Sequence, residues 1–290
     1  MHFEDGTTAH GNILIGVDGL KSKVRQSFIP DYKLRFTGKV FMRSTFDVSL
    51  VEGKVPDLPE DCLHWDNFFA SRLGKNQYTT VGAYSDPRPS HEIESNVAWD
   101  QKGDVNFLRE RYKPPLTTSS LNGWLPNVEM RNWHPLIRAL TNATPYTNLY
   151  PNFAGDAIPI WVFDSRVTLV GDAAHAHGGA FAAGGSLALD DAFALGLAFR
   201  YVSGGGIENA LRLHEKARRS PAERLLRIVH GQLDTGKVMP PSNDEEENER
   251  LIKRLRNRVD TEWLSEHDVE AAFRDVVATA EKTEGAPERS

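Results

Sequence analysis

Two short apolar runs, each closing on an adjacent Asp and Gly, constrain this chain more than any other feature. Asn12-Ile13-Leu14-Ile15-Gly16-Val17 leads straight into Asp18-Gly19, and Val167-Thr168-Leu169-Val170 leads into Gly171-Asp172. Nearly continuous apolarity, without polar alternation, predicts strands buried on both faces of a parallel sheet. In open α/β sheets, ligands bind beyond the carboxyl ends of such strands. A plain turn is the competing reading of either Asp/Gly pair. The second junction continues through a Gly/Ala-rich loop to Gly184-Gly185 and then a helix over about 187–202. Before the first run, Phe3-Glu4-Asp5-Gly6-Thr7 reads as a strand end and a tight turn, so no neighbouring strand is expected from the N-terminal side.

Between the two junctions the pattern changes. Residues 35–85 predict antiparallel strands over Val40–Phe46, Asn67–Leu73 and Gln77–Tyr84, with Gly74-Lys75-Asn76 as a turn. Short helices are expected over Asp104–Tyr112 and Trp133–Leu140, with a polar loop at Thr117–Ser120. After the second junction come helices over 207–219 and 222–235, following a break at Gly204-Gly205-Gly206. Pro240-Pro241-Ser242 reads as a linker, Asp244–Arg258 as a solvated charged helix, and Trp263 to Glu281 as a final helix. The expected fold class is therefore α/β with α+β elements. Its parts are a parallel sheet fed by the two runs, a mostly antiparallel sheet, and C-terminal helices. The expected division is 1–30, 31–150, 151–240 and 241–290.

Composition narrows the function classes. The 290 residues suit about two domains at ~150 residues each. With 40 acidic against 34 basic residues the net charge is −6, so no general basic footprint for nucleic acid is present. One cysteine, Cys62, excludes an intramolecular disulfide and a Cys-rich metal centre. The most apolar window, Leu187 to Val202, is interrupted by Asp190, Asp191 and Arg200, and no membrane span is expected. The first residues lack a basic and apolar leader pattern. A soluble, reduced, cytoplasmic protein is expected, with its oligomeric state open.

The second junction, Gly171-Asp172-Ala173-Ala174-His175 through Gly184-Gly185 to Asp190-Asp191-Ala192, resembles the GD motif of the single-component FAD-dependent aromatic hydroxylases, the salicylate and para-hydroxybenzoate hydroxylase family. The first, Asp18-Gly19-Leu20-Lys21-Ser22-Lys23-Val24-Arg25, resembles that family's DGxxSxVR motif. The two stand 154 positions apart, in the family's order. The resemblance implies FAD as cofactor, with Asp172 accepting from ribityl hydroxyls. Asp18, Gly184 and Gly185 would be further cofactor-binding positions. A carboxylate acceptor contributes about 1.5–3 kcal/mol per charge-assisted hydrogen bond. The Gly pair would let a helix N-terminus approach the flavin closely.

The same resemblance implies hydroxylation of a phenolic or other electron-rich aromatic, a polyketide-type ring included. NAD(P)H would act as reductant and O2 as oxygen source. Thr37-Gly38-Lys39-Val40-Phe41-Met42-Arg43 resembles the family's Thr-Gly…Arg context, which makes Arg43 the candidate active-site residue. An exposed strand arginine is its other reading. Phe69 stands where some relatives carry a tyrosine, leaving Tyr78 as a substitute to weigh. Gly179 and Ala182-Ala183 depart from the family's usual Pro and Gly-Gln or Ala-Gln. His175-Ala176-His177 has no third ligand cluster and reads as loop rather than metal site.

The family begins with a βαβ unit whose GxGxxG turn receives the diphosphate, and no such segment occurs here. At roughly 0.3 kcal/mol per ligand atom, contacts to about two dozen atoms of the ADP half amount to ~7 kcal/mol. That corresponds to about five decades of affinity. The expectation is a partial Rossmann-like FAD-binding sheet lacking its first βαβ unit, with weak flavin binding by these 290 residues. The alternative expectation is an inactive, truncated paralogue acting as a binding protein. An unpaired edge on the Ile13–Val17 strand would also expose apolar surface.

Overall fold

The computed structural model describes residues 1–58, 62–65, 68–85, 101–111, 135–179, 183–202, 206–235 and 262–284. In it the two apolar runs become β1 (Leu14–Gly16) and β9 (Val167–Leu169), paired in parallel with Leu14 opposite Val167 and Gly16 opposite Leu169. Their carboxyl ends coincide, so Asp18 and Asp172 leave the same edge of one sheet. The third strand, β8 (Val162–Phe163), joins β9 through a tight turn in which Asp164 and Ser165 both adopt positive φ, +47° and +58°. This sheet has the order β1-β9-β8. Its edge strand leaves Ile15 37% and Val17 67% exposed.

Both faces of the small sheet are covered, as its apolar strands require. Leu14, Val167 and Leu169 pack against Val24 and Phe28 of α1 (Lys23–Phe28). On the other face, Ile13, Val162 and Val170 meet Leu195 of α4 (Gly184–Tyr201) and Leu211 of α5 (Ile207–Thr235). A methyl group at Gly16 would fall 2.8 Å from Leu169 Cδ2 and 3.0 Å from Val24 Cβ, so only glycine lets α1 and β9 close on this strand. Met1 to Ala9 forms a small loop pinned by the His2–Thr8 bridge, with Gly6 at φ +83°.

A six-stranded sheet has the order β3-β4-β5-β2-β7-β6. It comprises β2 (Leu34–Asp47), β3 (Cys62–Trp65), β4 (Phe68–Leu73), β5 (Gln77–Ser85), β6 (Gln101–Gly103) and β7 (Thr147–Gly155). The expected antiparallel pairing holds, with Arg43 opposite Val81 and Val81 opposite Phe69. Alternation along β2 sends Met42 and Phe46 into a core shared with Leu108 of α2 (Val105–Arg111) and Leu136, Ile137 and Leu140 of α3 (Pro135–Ala143). Arg43 therefore stands on the opposite face, exposed.

The chain divides into two compact units. One holds the described residues within 1–35, 153–236 and 251–290, and the other those within 36–152. One expectation is corrected. The helices expected over 207–219 and 222–235 are one continuous helix with Pro221 inside it. Pro221 removes one N–H from the ladder, but Ala217, Arg218, Ala222, Leu225 and Leu226 are all buried, and this packing carries the helix across the defect. The final helix, Val269–Glu284, packs Phe273 against Ala198, Ala210 and Leu213. It belongs to the same core as α4 and α5. The expected features at Thr117–Ser120, Gly204-Gly205, Pro240-Pro241-Ser242 and Asp244–Arg258 lie outside the described residues, as do Trp133 and His134 of the expected helix over Trp133–Leu140. Among the described residues no helix is long and apolar enough to cross a membrane.

Candidate active site

The Asp18 loop is built from the inside. Asp18 Oδ1 accepts from Ser22 Oγ at 2.5 Å, and Oδ2 accepts from the N–H groups of Lys23 (2.6 Å) and Val24 (3.1 Å). Ser22 Oγ in turn accepts from Arg25 N–H at 2.9 Å, capping α1. Burial works to raise the Asp18 pKa, but the hydrogen bonds from Ser22, Val24 and Lys23 outweigh it and hold the carboxyl below its ordinary value. Both oxygens of Asp18 are thus occupied by its own loop.

Arg25, fully buried, ties this loop to the second junction. Its Nη1 donates to the carbonyl oxygens of Asp172 (3.0 Å) and Ala173 (2.9 Å), and its Nη2 donates to Leu20 O. The guanidinium lies over the Tyr32 ring at 4.3 Å. Burial pushes the Tyr32 phenol up to about 12, and its hydroxyl donates to Asp156 O at 3.1 Å.

Gly171 to Ala173 forms a single 3-10 turn. Gly171 has φ +63°, and a Cβ there would fall 3.1 Å from Ala188 Cβ of α4. Its N–H donates to Asp191 Oδ2 at 2.8 Å. The same oxygen meets His175 Nε2 at 2.7 Å, and Asp191 Oδ1 accepts from Arg218 Nε at 2.8 Å. Arg218 also reaches Asp190 at 3.4 Å. Asp191, His175 and Arg218 are all fully buried. Burial alone would raise the Asp191 pKa, but His175 and Arg218 bring it down to about 2. Trp161 packs on both His175 (5.6 Å between ring centroids) and His214 (6.0 Å). His214 has no hydrogen-bond partner on either ring nitrogen, and burial lowers its pKa to about 4.

This network was not foreseen, because Asp191 sits inside an apolar stripe that reads as core. The available signal was a carboxylate within that stripe together with an arginine in the next helix.

The loop closes on Asp172, Gly184 and His177. The Asp172 carboxylate is 43% exposed and lies 4.0 Å from His177 Nε2. A Cβ at Gly184 would fall 3.8 Å from Asp172 Oδ1 and 3.9 Å from His177 Nε2. Gly185 follows in the first turn of α4, with nothing within 4 Å of its Cβ position. No side chain caps this helix at Ala183. The N-cap residue therefore offers no side-chain acceptor to the leading N–H groups. Ala182 lies outside the described residues, and Gly179 closes the loop beside Gly178, which has φ +68°.

Arg43 belongs to the other unit, in a cross-strand row with Val81 and Phe69. Tyr78 sits opposite Phe46 in register and fully buried in the core, so its hydroxyl is on the face away from Arg43 and cannot substitute for the missing tyrosine. Among the described residues no group of three or more His, Cys, Asp or Glu converges as a metal site.

Comparison with known proteins bears on this geometry. A family profile described as "FAD binding domain" matches residues 160–229, the segment that carries Trp161, Asp172, His175, His177, Gly184, Asp191, His214 and Arg218. The 6-hydroxynicotinate 3-monooxygenase of Bordetella bronchiseptica is 28% identical over 236 residues, 79% of this chain and 55% of its own length. The salicylate hydroxylase of Pseudomonas putida is 25% identical over 291 residues, 92% of this chain and 61% of its own length. The chain is similar to FAD-dependent aromatic hydroxylases, and its 160–229 segment matches the FAD-binding domain.

It spans about half to two thirds of the length of the hydroxylases it matches. The crystal structure of CtdE in complex with FAD and a substrate shares the fold, with a TM-score of 0.68 at 17% identity over 97% of this chain and 66% of that one. The residues present in this chain suit the ribityl side of a flavin. Asp172 offers an exposed carboxylate acceptor, Gly184 and Gly185 offer an uncapped helix end, and His177 offers a ring without a side-chain partner.

Proposed function

We propose that this chain carries the ribityl-side flavin loop and the substrate sheet of a FAD-dependent monooxygenase that hydroxylates a phenolic or other electron-rich ring. FAD, when bound and reduced by NAD(P)H, would activate O2, and one of the two oxygen atoms of O2 would pass to the ring while the other leaves as water. Asp172 accepts from the ribityl hydroxyls, while the first N–H groups of α4, left open by Gly184 and Gly185, meet the polar edge of the flavin. Asp18 and Arg25 act behind them by holding the two junctions in register.

Arg43 takes the substrate. A guanidinium beside a phenol with a free pKa of about 10 favours the phenolate, which is the more electron-rich ring. The same fork suits a ring carboxylate. Relatives named for 6-hydroxynicotinate and salicylate support a hydroxylated aromatic acid as the substrate class. Phe69 and Val81, beside Arg43 on the sheet, supply an apolar floor for such a ring.

The observation that carries this reading is the half-exposed Asp172 carboxylate beside the uncapped helix α4. Equilibrium titration with FAD tests it. Asp172→Ala should weaken binding by about 10- to 100-fold, the equivalent of one charge-assisted hydrogen bond. Arg43→Ala should retain FAD and lose the aromatic acid. Equal FAD binding by wild type and Asp172→Ala overturns the assignment.

A further inference from the structure

We propose that His177 is a second flavin contact in this chain, an imidazole that donates to the acceptor edge of the isoalloxazine where Asp172 takes the ribityl chain. The inference rests on the flavin reading above. It starts from an imbalance between two neighbouring histidines. His175 and His177 stack at 5.9 Å with an 11° interplanar angle, and both are fully buried. His175 is consumed internally by Asp191 at 2.7 Å. His177 has no side-chain hydrogen-bond partner on Nδ1 or Nε2, and its polar neighbours are the adjacent backbone of His177 and Gly178 and the more distant Asp172 carboxylate.

A buried ring with no side-chain partner on either nitrogen is costly unless something outside the protein engages it. Its surroundings say what that is. Nε2 lies 4.0 Å from Asp172 Oδ1 and 3.9 Å from the Cβ position of Gly184, so the ring faces the same space as the carboxylate and the uncapped start of α4. An anion alone is disfavoured beside Asp172. A neutral ligand offering both hydroxyls and ring carbonyls satisfies all three groups, and a flavin does so.

Burial and the neighbouring His175 lower the His177 pKa, against the pull of Asp172, so the ring enters the site neutral with one N–H to give. His214 is unpartnered too, but its neighbours are Trp161, Asp191 and Arg218 rather than Asp172 and the start of α4.

The test uses the full 290-residue chain with FAD, riboflavin and ADP as separate probes. His177→Leu removes the donor, and His177→Gln restores one. FAD and riboflavin should bind His177→Leu at least tenfold more weakly than wild type and His177→Gln within about threefold, while ADP is indifferent to both. In the wild-type chain, histidine-selective NMR should show the His177 ring signals moving on riboflavin addition. If His177→Leu does not fold, the His177→Gln affinity and the wild-type NMR titration decide. Wild-type affinity in His177→Leu, or a stationary His177 signal while Asp172→Ala still abolishes binding, overturns this contact and leaves the flavin reading intact. No FAD or riboflavin response at millimolar concentration at either His177 or the Asp172 loop overturns both.

Discussion

Arg25 Nη1 donates to the backbone carbonyl of Asp172 at 3.0 Å, so the first sequence motif holds the second by its main chain and leaves the Asp172 carboxylate free. Arg25→Met keeps most of the volume but strands the carbonyls of Leu20, Asp172 and Ala173 without their donor. Each orphaned buried acceptor costs about 1–3 kcal/mol. Urea denaturation should show a loss of roughly 3–5 kcal/mol, and hydrogen exchange should quicken in the 171–177 loop.

Asp191→Asn is expected to be among the most destabilising single changes in the 160–229 segment. It leaves Arg218 as a buried cation facing a weaker partner, for which the usual cost is about 3–5 kcal/mol. The wild-type carboxyl has a folded pKa of about 2 against about 4 when unfolded, so its stabilisation is complete above pH 4 and lost as pH falls toward 2. Acid unfolding curves of the Asn variant should lack that component.

His214 acts at milder acidity. It is buried neutral, with a pKa near 4 against about 6.5 when unfolded. The unfolded chain therefore binds the extra proton first. Stability is complete above pH 6.5 and falls as pH drops from 6.5 to 4, by roughly 3 kcal/mol at the low end. Replacing the ring by Leu should flatten that slope in denaturant midpoints measured between pH 4.5 and 7.5. An unchanged slope would show that another group titrates there.

The β8–β9 turn offers a stabilising change. Ser165 holds φ +58°, a region glycine enters freely. Ser165→Gly gives up a side-chain hydrogen bond to Glu208 at the surface, and relief of the backbone should still give a net gain of about 0.5 kcal/mol. A rise of about 1–2 °C in thermal midpoint checks it.

The parts of the fold that were legible in the sequence are those where local pattern and tertiary role agree. The Ile13–Val17 run reads as a buried strand because Leu14 and Ile13 pack on opposite faces of the sheet, while Ile15 and Val17 stay exposed at its edge. Residues 77–85 read as an antiparallel strand because alternation reports one buried face. Helix 207–235 was divided at Pro221 because propensity is local, whereas the buried row from Ala217 to Leu226 that overrides it is not. For the same reason Asp191 reads as a break in a core stripe and His177 as a loop residue. What makes Asp191 more than a break in an apolar stripe is three donors, Gly171, His175 and Arg218, all from outside its own helix. What makes His177 more than a loop residue is the absence of any side-chain partner, which only coordinates display.

The Gly16–Leu169 register has a consequence for how this protein acquires its shape. The small sheet closes a loop of about 150 residues, so its first ladder carries one of the largest sequence separations the chain contains, a hallmark of late contacts. In chain order β1 and α1 are separated from β9 by the whole antiparallel sheet, every strand of which is made before β9. The loop bearing Asp172 takes its final form only when these distant pieces meet, and until then Leu14 lacks the Val167 and Leu169 side chains that cover it.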